Sequence, residues 1–371
     1  MHPRYAIADT SEIFSPSMIV FRDLVDSNLA QMVRIARDPK RLRPHCKTHK
    51  MREIIALQLA AGITRHKCAT VAEAEMLAAA GVRDIFLAYN PVGPNVRRVV
   101  RLAEKFPQVR LSVTADHPAP LAALGQAASA AGKSIEVLLD IDSGQHRTGI
   151  AVGPRARELY QQFAATKGVV PGGFHLYDGQ NHQKDIAERR AAVLAGYEPA
   201  AKLRDELVAT GIPVPRIVAG GTASFPIFAA LDDPALELSP GTIIFNDAGY
   251  GEMFPDLEFT PAALLLTRVI SRPTASRVTC DLGYKAVASD PPAGNRLFFP
   301  DLPDAKAVLQ NEEHLVLETA QADRFQPGDE LFAIPRHVCP TSALHKFVYV
   351  VSAGKLVGTW EVSARDRMLT V

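Results

Sequence analysis

Arg41-Leu42-Arg43-Pro44-His45-Cys46-Lys47-Thr48-His49-Lys50 sets four cationic side chains among two histidines, directly before the amphipathic run Met51 to Ala61. Pro44 biases its predecessor away from helix, so Arg41 to His45 reads as an extended segment, a strand end that feeds a loop and then a helix. A lysine at such a strand end points into whatever site lies above the sheet. Its amine becomes a Schiff-base nucleophile when nearby cations, here His45, His49 and Lys50, discourage its protonation. Taken alone, the same residues also describe a basic loop on a solvated face.

Working outward, the chain from residue 14 to 256 alternates short β-like runs with longer helical ones, the pattern of a parallel βα array. The expected strands are Leu42–His45, His66–Thr70, Asp84–Ala88, Arg110–Thr114, Ile135–Asp140, Gly172–Tyr177, Arg216–Ala219 and Ala235–Leu238. Eight such strands close a TIM barrel. Between them Val71–Ala80, Pro118–Ala131 and Asp185–Thr210 are Ala-, Leu- and Glu-rich, and Gly81 and Gly132 stand where the first two of these helices would stop. Residues 257–371 change texture. Runs such as Ala263–Ile270, Arg277–Asp281, Leu315–Glu318, Leu331–Ile334 and Phe347–Val351 alternate with Pro, Gly and Asp turns, as in an antiparallel β domain.

With 371 residues, 47% hydrophobic and 22% charged, the chain has the balance of a soluble globular protein. Its 41 basic and 40 acidic residues leave no electrostatic footprint for nucleic acid or an anionic membrane. There is no apolar N-terminal signal segment and no apolar run long enough to span a bilayer. Cys46, Cys68, Cys280 and Cys339 lack disulfide-like spacing, which fits a reducing, cytoplasmic setting.

The motif R-P-H-x-K-T-H-K, followed by a helix and then Cys68-Ala69-Thr70-Val71-Ala72-Glu73-Ala74-Glu75, resembles the D-threonine aldolase and D-serine dehydratase family. These are pyridoxal-phosphate enzymes on an alanine-racemase-like barrel. The resemblance runs from about Arg41 to the C-terminus. It implies that Lys47 carries the cofactor, that residues 1–13 join the C-terminal β domain, and that the working form is a homodimer.

Ile141-Asp142-Ser143-Gly144-Gln145-His146-Arg147-Thr148-Gly149 is similar to the family's I-D-x-G-x-x-R-x-G, which assigns Arg147 to the phenolic oxygen of the cofactor; as a bare pattern it is a turn. Phe174-His175-Leu176-Tyr177-Asp178-Gly179-Gln180-Asn181-His182 resembles the aldolases' Y-x-G followed by a histidine. His182 is the candidate base for the substrate hydroxyl and His175 its competitor. Alternation places His175 and Tyr177 on one strand face. Gly220-Gly221-Thr222-Ala223-Ser224 and Gly241-Thr242 fall in the seventh and eighth loops, where barrels of this class hold phosphate, so Gly220, Gly221, Thr222, Ser224, Gly241 and Thr242 are expected around it.

In the β domain, His337 and Cys339 lie two apart, the spacing of side chains on one strand face, and thiolate with imidazole favours zinc over manganese or magnesium. An isolated H-x-C is also compatible with a buried cysteine beside an incidental histidine. The family's H-x-C or H-x-D before Pro-Thr implies a catalytic divalent ion. Aldolases there often have aspartate and dehydratases cysteine. Asp281-Leu282-Gly283-Tyr284-Lys285-Ala286 echoes the family but reads as a hairpin turn, and Trp360 reads as β-domain core.

These features point to a lyase of D-β-hydroxy-α-amino acids, foremost a D-threonine aldolase. The nearest alternative is a D-serine or D-threo-3-hydroxyaspartate dehydratase, which shares every group and breaks a different bond. An amino-acid racemase or a non-catalytic pyridoxal-phosphate protein would have no use for the His337–Cys339 pair.

Overall fold

The computed structural model describes residues 3–367 and 370–371, and the chain divides into two compact units. One comprises Met32–Lys47, Ile54–Gly241 and Asp366–Val371; the other comprises Met1–Gln31, Thr48–Glu53 and Thr242–Arg365. The boundaries therefore fall elsewhere than at 14 and 257. On the N-terminal side the cause is Ser17–Phe21, a strand buried along its whole length, which pairs with Ala263–Leu266 on one side and Tyr349–Val351 on the other. Among the described residues no helix is long and apolar enough to cross a membrane.

In the first unit, Arg65–Cys68, Asp84–Leu87, Arg110–Ala115, Ile135–Ile141, Val169–Leu176, Ile217–Ala219 and Leu236–Leu238 form a parallel sheet in chain order. The first expected strand, Leu42–His45, is extended but irregular. It bridges Leu238 through Leu42 and Lys67 through His45, so it joins the two edges of the sheet and closes the ring. Arg43 N–H donates to the Leu238 carbonyl and His45 N–H to the Pro240 carbonyl, each at 2.8 Å, while Lys67 N–H reaches the Pro44 carbonyl at 2.9 Å. Pro44 has no N–H to give, which explains why no continuous ladder forms there. The architecture is the expected α/β barrel.

The helices follow from their caps. Thr70 accepts the Glu73 N–H at the start of Val71–Ala79, and Asp185 accepts those of Ala187 and Glu188 ahead of Ile186–Ala209. Gly81 and Gly132 terminate their helices at φ +93° and +64°, in the left-handed region that glycine enters without steric cost. On Ile186–Ala209 the buried side chains Arg189, Val193, Tyr197, Ala200, Leu203 and Leu207 recur every third or fourth residue, which is the stripe that packs on the barrel.

Beneath the mouth, Phe86, Leu138 and Val218 fill the barrel interior. At the N-terminal ends of the strands an ion-pair ring replaces apolar packing. Arg43 meets Asp84 at 2.7 Å, Asp84 lies 3.8 Å from Arg110, and Arg110 is 2.5 Å from Glu136. Glu136 pairs with Arg216, Arg216 lies 4.0 Å from Glu237, and Glu237 returns to Arg43 and also holds Arg65 at 2.9 Å. Arg43 is wholly buried in this ring.

The second unit holds a nine-stranded sheet in the order Lys306–Gln310, Leu315–Glu318, Arg277–Cys280, Ala263–Thr274, Ser17–Phe21, Phe347–Ser352 and Lys355–Glu361, with Glu330–Pro335 and Leu297–Phe298 branching from it. The sheet is mixed rather than purely antiparallel, because Ser17–Phe21 runs parallel to Phe347–Ser352. Trp360 is half-buried on the edge strand Lys355–Glu361, not in the core. The segment at 281–286 is structural. Asp281 accepts from Ser15, Thr267 and Arg268, Lys285 pairs with Glu312 at 2.6 Å, and a Cβ on Gly283 would lie 1.9 Å from the Glu312 carbonyl oxygen.

Candidate active site

At the C-terminal ends of the barrel strands opens a cavity of about 830 Å3, lined among others by His45, Lys47, Lys67, Asp140, Arg147, His175 and Tyr177. This is the end at which barrels of this class carry their chemistry. Lys47 sits in the single 3-10 turn Cys46–Thr48, whose entry is fixed by the Lys47 N–H donating to His45 Nδ1 at 3.2 Å. Its Nζ lies 5.6 Å from the centroid of the Tyr177 ring. Arg147 places its guanidinium carbon 4.7 Å from the same centroid. Its loop is a turn: Asp142 accepts the N–H groups of Gly144 and His146, and Gly149, at φ +97°, passes so close to the backbone of Asp142 that a Cβ would lie 2.7 Å from its nitrogen. That turn aims Arg147 at the cavity.

His175 is buried in the cavity floor. Its Nδ1 lies 2.7 Å from Asp140 Oδ1, directly across the pairing of Ile135–Ile141 with Val169–Leu176. Burial, reinforced by the charge of Lys67, pushes the imidazole down to about 4 despite the pull of Asp140, so the ring is neutral over the ordinary pH range. Its Nε2 is buried without a hydrogen-bond partner. His182 is exposed on the following loop, outside the residues that line the cavity. The turn leading to it is held by Asn181 N–H donating to the Asp178 carbonyl at 3.1 Å.

The two glycine loops come together within this unit, since Gly241 N–H donates to Thr222 Oγ1 at 3.4 Å. Gly220 has φ +75°, and a Cβ there would meet Ser224 Oγ at 2.7 Å; on Gly221 it would meet the Tyr177 ring at 3.1 Å. Ser224 is already engaged, accepting the Gly221 N–H and donating to Asp178 at 2.8 Å. The cations round Tyr177, the unpartnered Nε2 and this glycine cradle fit an anionic aromatic cofactor such as pyridoxal phosphate.

In the other unit the strand Glu330–Pro335 ends before the expected metal pair, so His337 and Cys339 do not share a strand face. His337 instead precedes the helix Val338–Leu344 as its N-cap residue, and Cys339 lies in the first turn. The turn still joins them. Burial alone would lower the His337 pKa, but the hydrogen bond and charge of Cys339, followed by those of Asp290, outweigh it and raise the imidazole to about 9. Asp290 Oδ2 lies 2.5 Å from His337 Nδ1, and Cys339 Sγ is 3.1 Å from Thr48 Oγ1 and 3.6 Å from Thr242 Oγ1. Between the pair, the Val338 N–H donates to the buried Asp247. Imidazole and thiol so placed fit a borderline-soft divalent ion, with Asp290 orienting the ring in the manner common for histidine ligands.

Lys67, Asp140 and Asp290 were missed by the sequence reading. For Lys67 the available signal was its place inside the expected strand His66–Thr70.

Residues 21–248 match the alanine racemase N-terminal domain model and residues 262–351 a putative serine dehydratase domain model. A D-threonine aldolase from Arthrobacter sp is 33% identical, with 96% of this chain and 93% of that protein covered. The chain belongs to the D-threonine aldolase and D-serine dehydratase family. The family's barrel is seen in a crystal structure of D-threonine aldolase from Filomicrobium marinum, which is similar at a TM-score of 0.89 and 28% identity over 96% of this chain and 97% of that one. A D-threo-3-hydroxyaspartate dehydratase of Delftia sp. (strain HT23) is 27% identical over 94% of this chain and 96% of its own. Aldolase and dehydratase relatives alike align along nearly the whole chain.

Proposed function

We propose that the protein is an aldolase of the D-threonine type, cleaving the Cα–Cβ bond of a D-β-hydroxy-α-amino acid to glycine and an aldehyde. The observation that carries this reading is the full-length similarity, in sequence and in backbone, to D-threonine aldolases. Pyridoxal phosphate, when bound, supplies the electron sink for the pair released at Cα, and a divalent ion, foremost zinc, supplies a Lewis acid.

The chain's own residues divide the remaining work. Lys47 would hold the cofactor. Arg147 and Tyr177 would hold its ring end, and the loops at Gly220, Gly221, Thr222, Ser224, Gly241 and Thr242 would hold its phosphate. His337 and Cys339 would hold the ion. His175, neutral and clamped by Asp140, orients the ring rather than taking a proton, because an imidazole that titrates near 4 is a weak base at neutral pH. His182, on the exposed loop, takes the proton from the substrate hydroxyl. A homodimer is the working form.

Cys339, at a position where family dehydratases carry cysteine, favours a second reading in which the β-hydroxyl is expelled and the amino acid deaminated. Product analysis separates the two. The aldolase releases glycine and acetaldehyde from D-threonine, and His182→Ala lowers turnover by about two to four powers of ten with cofactor content unchanged. An oxo acid and ammonia from D-serine, with no glycine from D-threonine, would replace the aldolase reading with the dehydratase one.

A further inference from the structure

Lys67 stands in the middle of the strand Arg65–Cys68, is 3% exposed, and lines the cavity. Its Nζ lies 5.7 Å from the Tyr177 ring centroid, against 5.6 Å for Lys47 and 4.7 Å for the guanidinium carbon of Arg147. Three cations from three different parts of the barrel thus converge on one ring. The charged groups that face Lys67 are Lys47 from the 3-10 turn, Asp140 and Arg147 from the fifth expected strand and its loop, and His175 and Asp178 from the sixth. The two carboxylates are committed elsewhere: Asp140 to His175, and Asp178 to Ser224 and Asn181. Positive charge therefore exceeds what the protein itself neutralises at this point.

We propose that Lys67 is a second cationic contact for the cofactor, meeting its anionic ring edge from the cavity floor beside Arg147. The proposal rests on the pyridoxal-phosphate reading given above. Burial, then the charge of Lys47, pulls Lys67 down to about 7 in the ligand-free cavity, against the opposing pull of Asp140 and Asp178. An anion bound beside the amine favours its charged form, so binding above pH 7 draws a proton onto Lys67. Affinity is greatest below that pH and falls as pH rises.

The test is calorimetric titration of the cofactor-stripped full chain with pyridoxamine 5′-phosphate, which keeps the ring, phenolic oxygen and phosphate but cannot react with Lys47. Titration at pH 8 in buffers of different ionisation enthalpy counts protons. Wild type takes up about one proton more per cofactor than Lys67→Met. Lys67→Met, which fills the same space without charge, weakens binding by about ten- to a hundredfold near pH 7, the worth of a charged contact. Lys67→Arg restores the affinity and, its guanidinium never losing its proton, flattens the pH dependence. Equal affinity and equal proton uptake in wild type and Lys67→Met would overturn the role of Lys67 while leaving the cofactor reading intact. Failure of wild type to bind either pyridoxamine phosphate or pyridoxal phosphate would overturn that reading itself.

Discussion

Arg43→Leu tests whether the ion-pair ring beneath the mouth holds the barrel closed. Arg43 is wholly buried, sits on the irregular segment that joins the sheet edges, and pairs with Asp84 and Glu237 together. Replacing it by leucine strands two carboxylates in the barrel interior, and breaking a buried pair from one side costs about 3–5 kcal/mol. Arg110, at 3.8 Å from Asp84, and Arg65, at 2.9 Å from Glu237, remain as partial replacements, which favours the lower end of that range. For a unit of this size the corresponding fall in melting temperature is about 6–12 °C. The deficit also has a sign in pH. Burial tends to raise the Asp84 pKa, but the charge of Arg43 and its hydrogen bond outweigh it and hold the carboxyl below its ordinary value. The stabilisation is thus complete above the unfolded carboxylate range and fades as pH falls through the depressed folded value, so the difference between variant and wild type shrinks in acid. Scanning calorimetry at pH 7 and in the acid limb measures both. A shift below about 2 °C at pH 7, or a gap that widens in acid, would refute the reasoning.

Two further substitutions probe the cofactor and metal loops. Gly221→Val pushes a branched side chain toward the Tyr177 ring, which a bare Cβ already approaches to 3.1 Å, so cofactor retention through gel filtration should drop while the melting curve of the cofactor-free protein barely moves. Asp290→Asn removes the carboxylate at 2.5 Å from His337 Nδ1 and should weaken divalent-ion affinity, read by chelator competition, by about ten- to a hundredfold.

The barrel was legible because its signals are local. Alternating runs mark the strands, Thr70 and Asp185 mark helix starts, and Gly81 and Gly132 mark helix stops, each within a few residues. Lys47 stood out through its motif and Arg147 through its turn, and both line the cavity. The misread features depend on partners distant in the chain. Ser17–Phe21 is a central strand of the β unit only because Ala263–Thr274 and Phe347–Ser352 flank it. Trp360 has the composition of a core residue, yet its strand lies at the sheet edge, where one side lacks a neighbour. Spacing brought His337 and Cys339 together, but a helix cap rather than a strand face accomplishes it. Lys67 looked like one lysine among many, because its surroundings are assembled from residues 47, 140, 147 and 178.

Lys47 is proposed to carry pyridoxal phosphate at the barrel mouth. Borohydride reduction of the holoenzyme, followed by proteolysis and mass spectrometry of the labelled peptide, tests this most directly. The cofactor mass is predicted on Lys47, with Lys47→Ala losing both the label and the visible absorbance. A label on Lys67, Lys50 or Lys285, or a reduced enzyme that carries none, would contradict it.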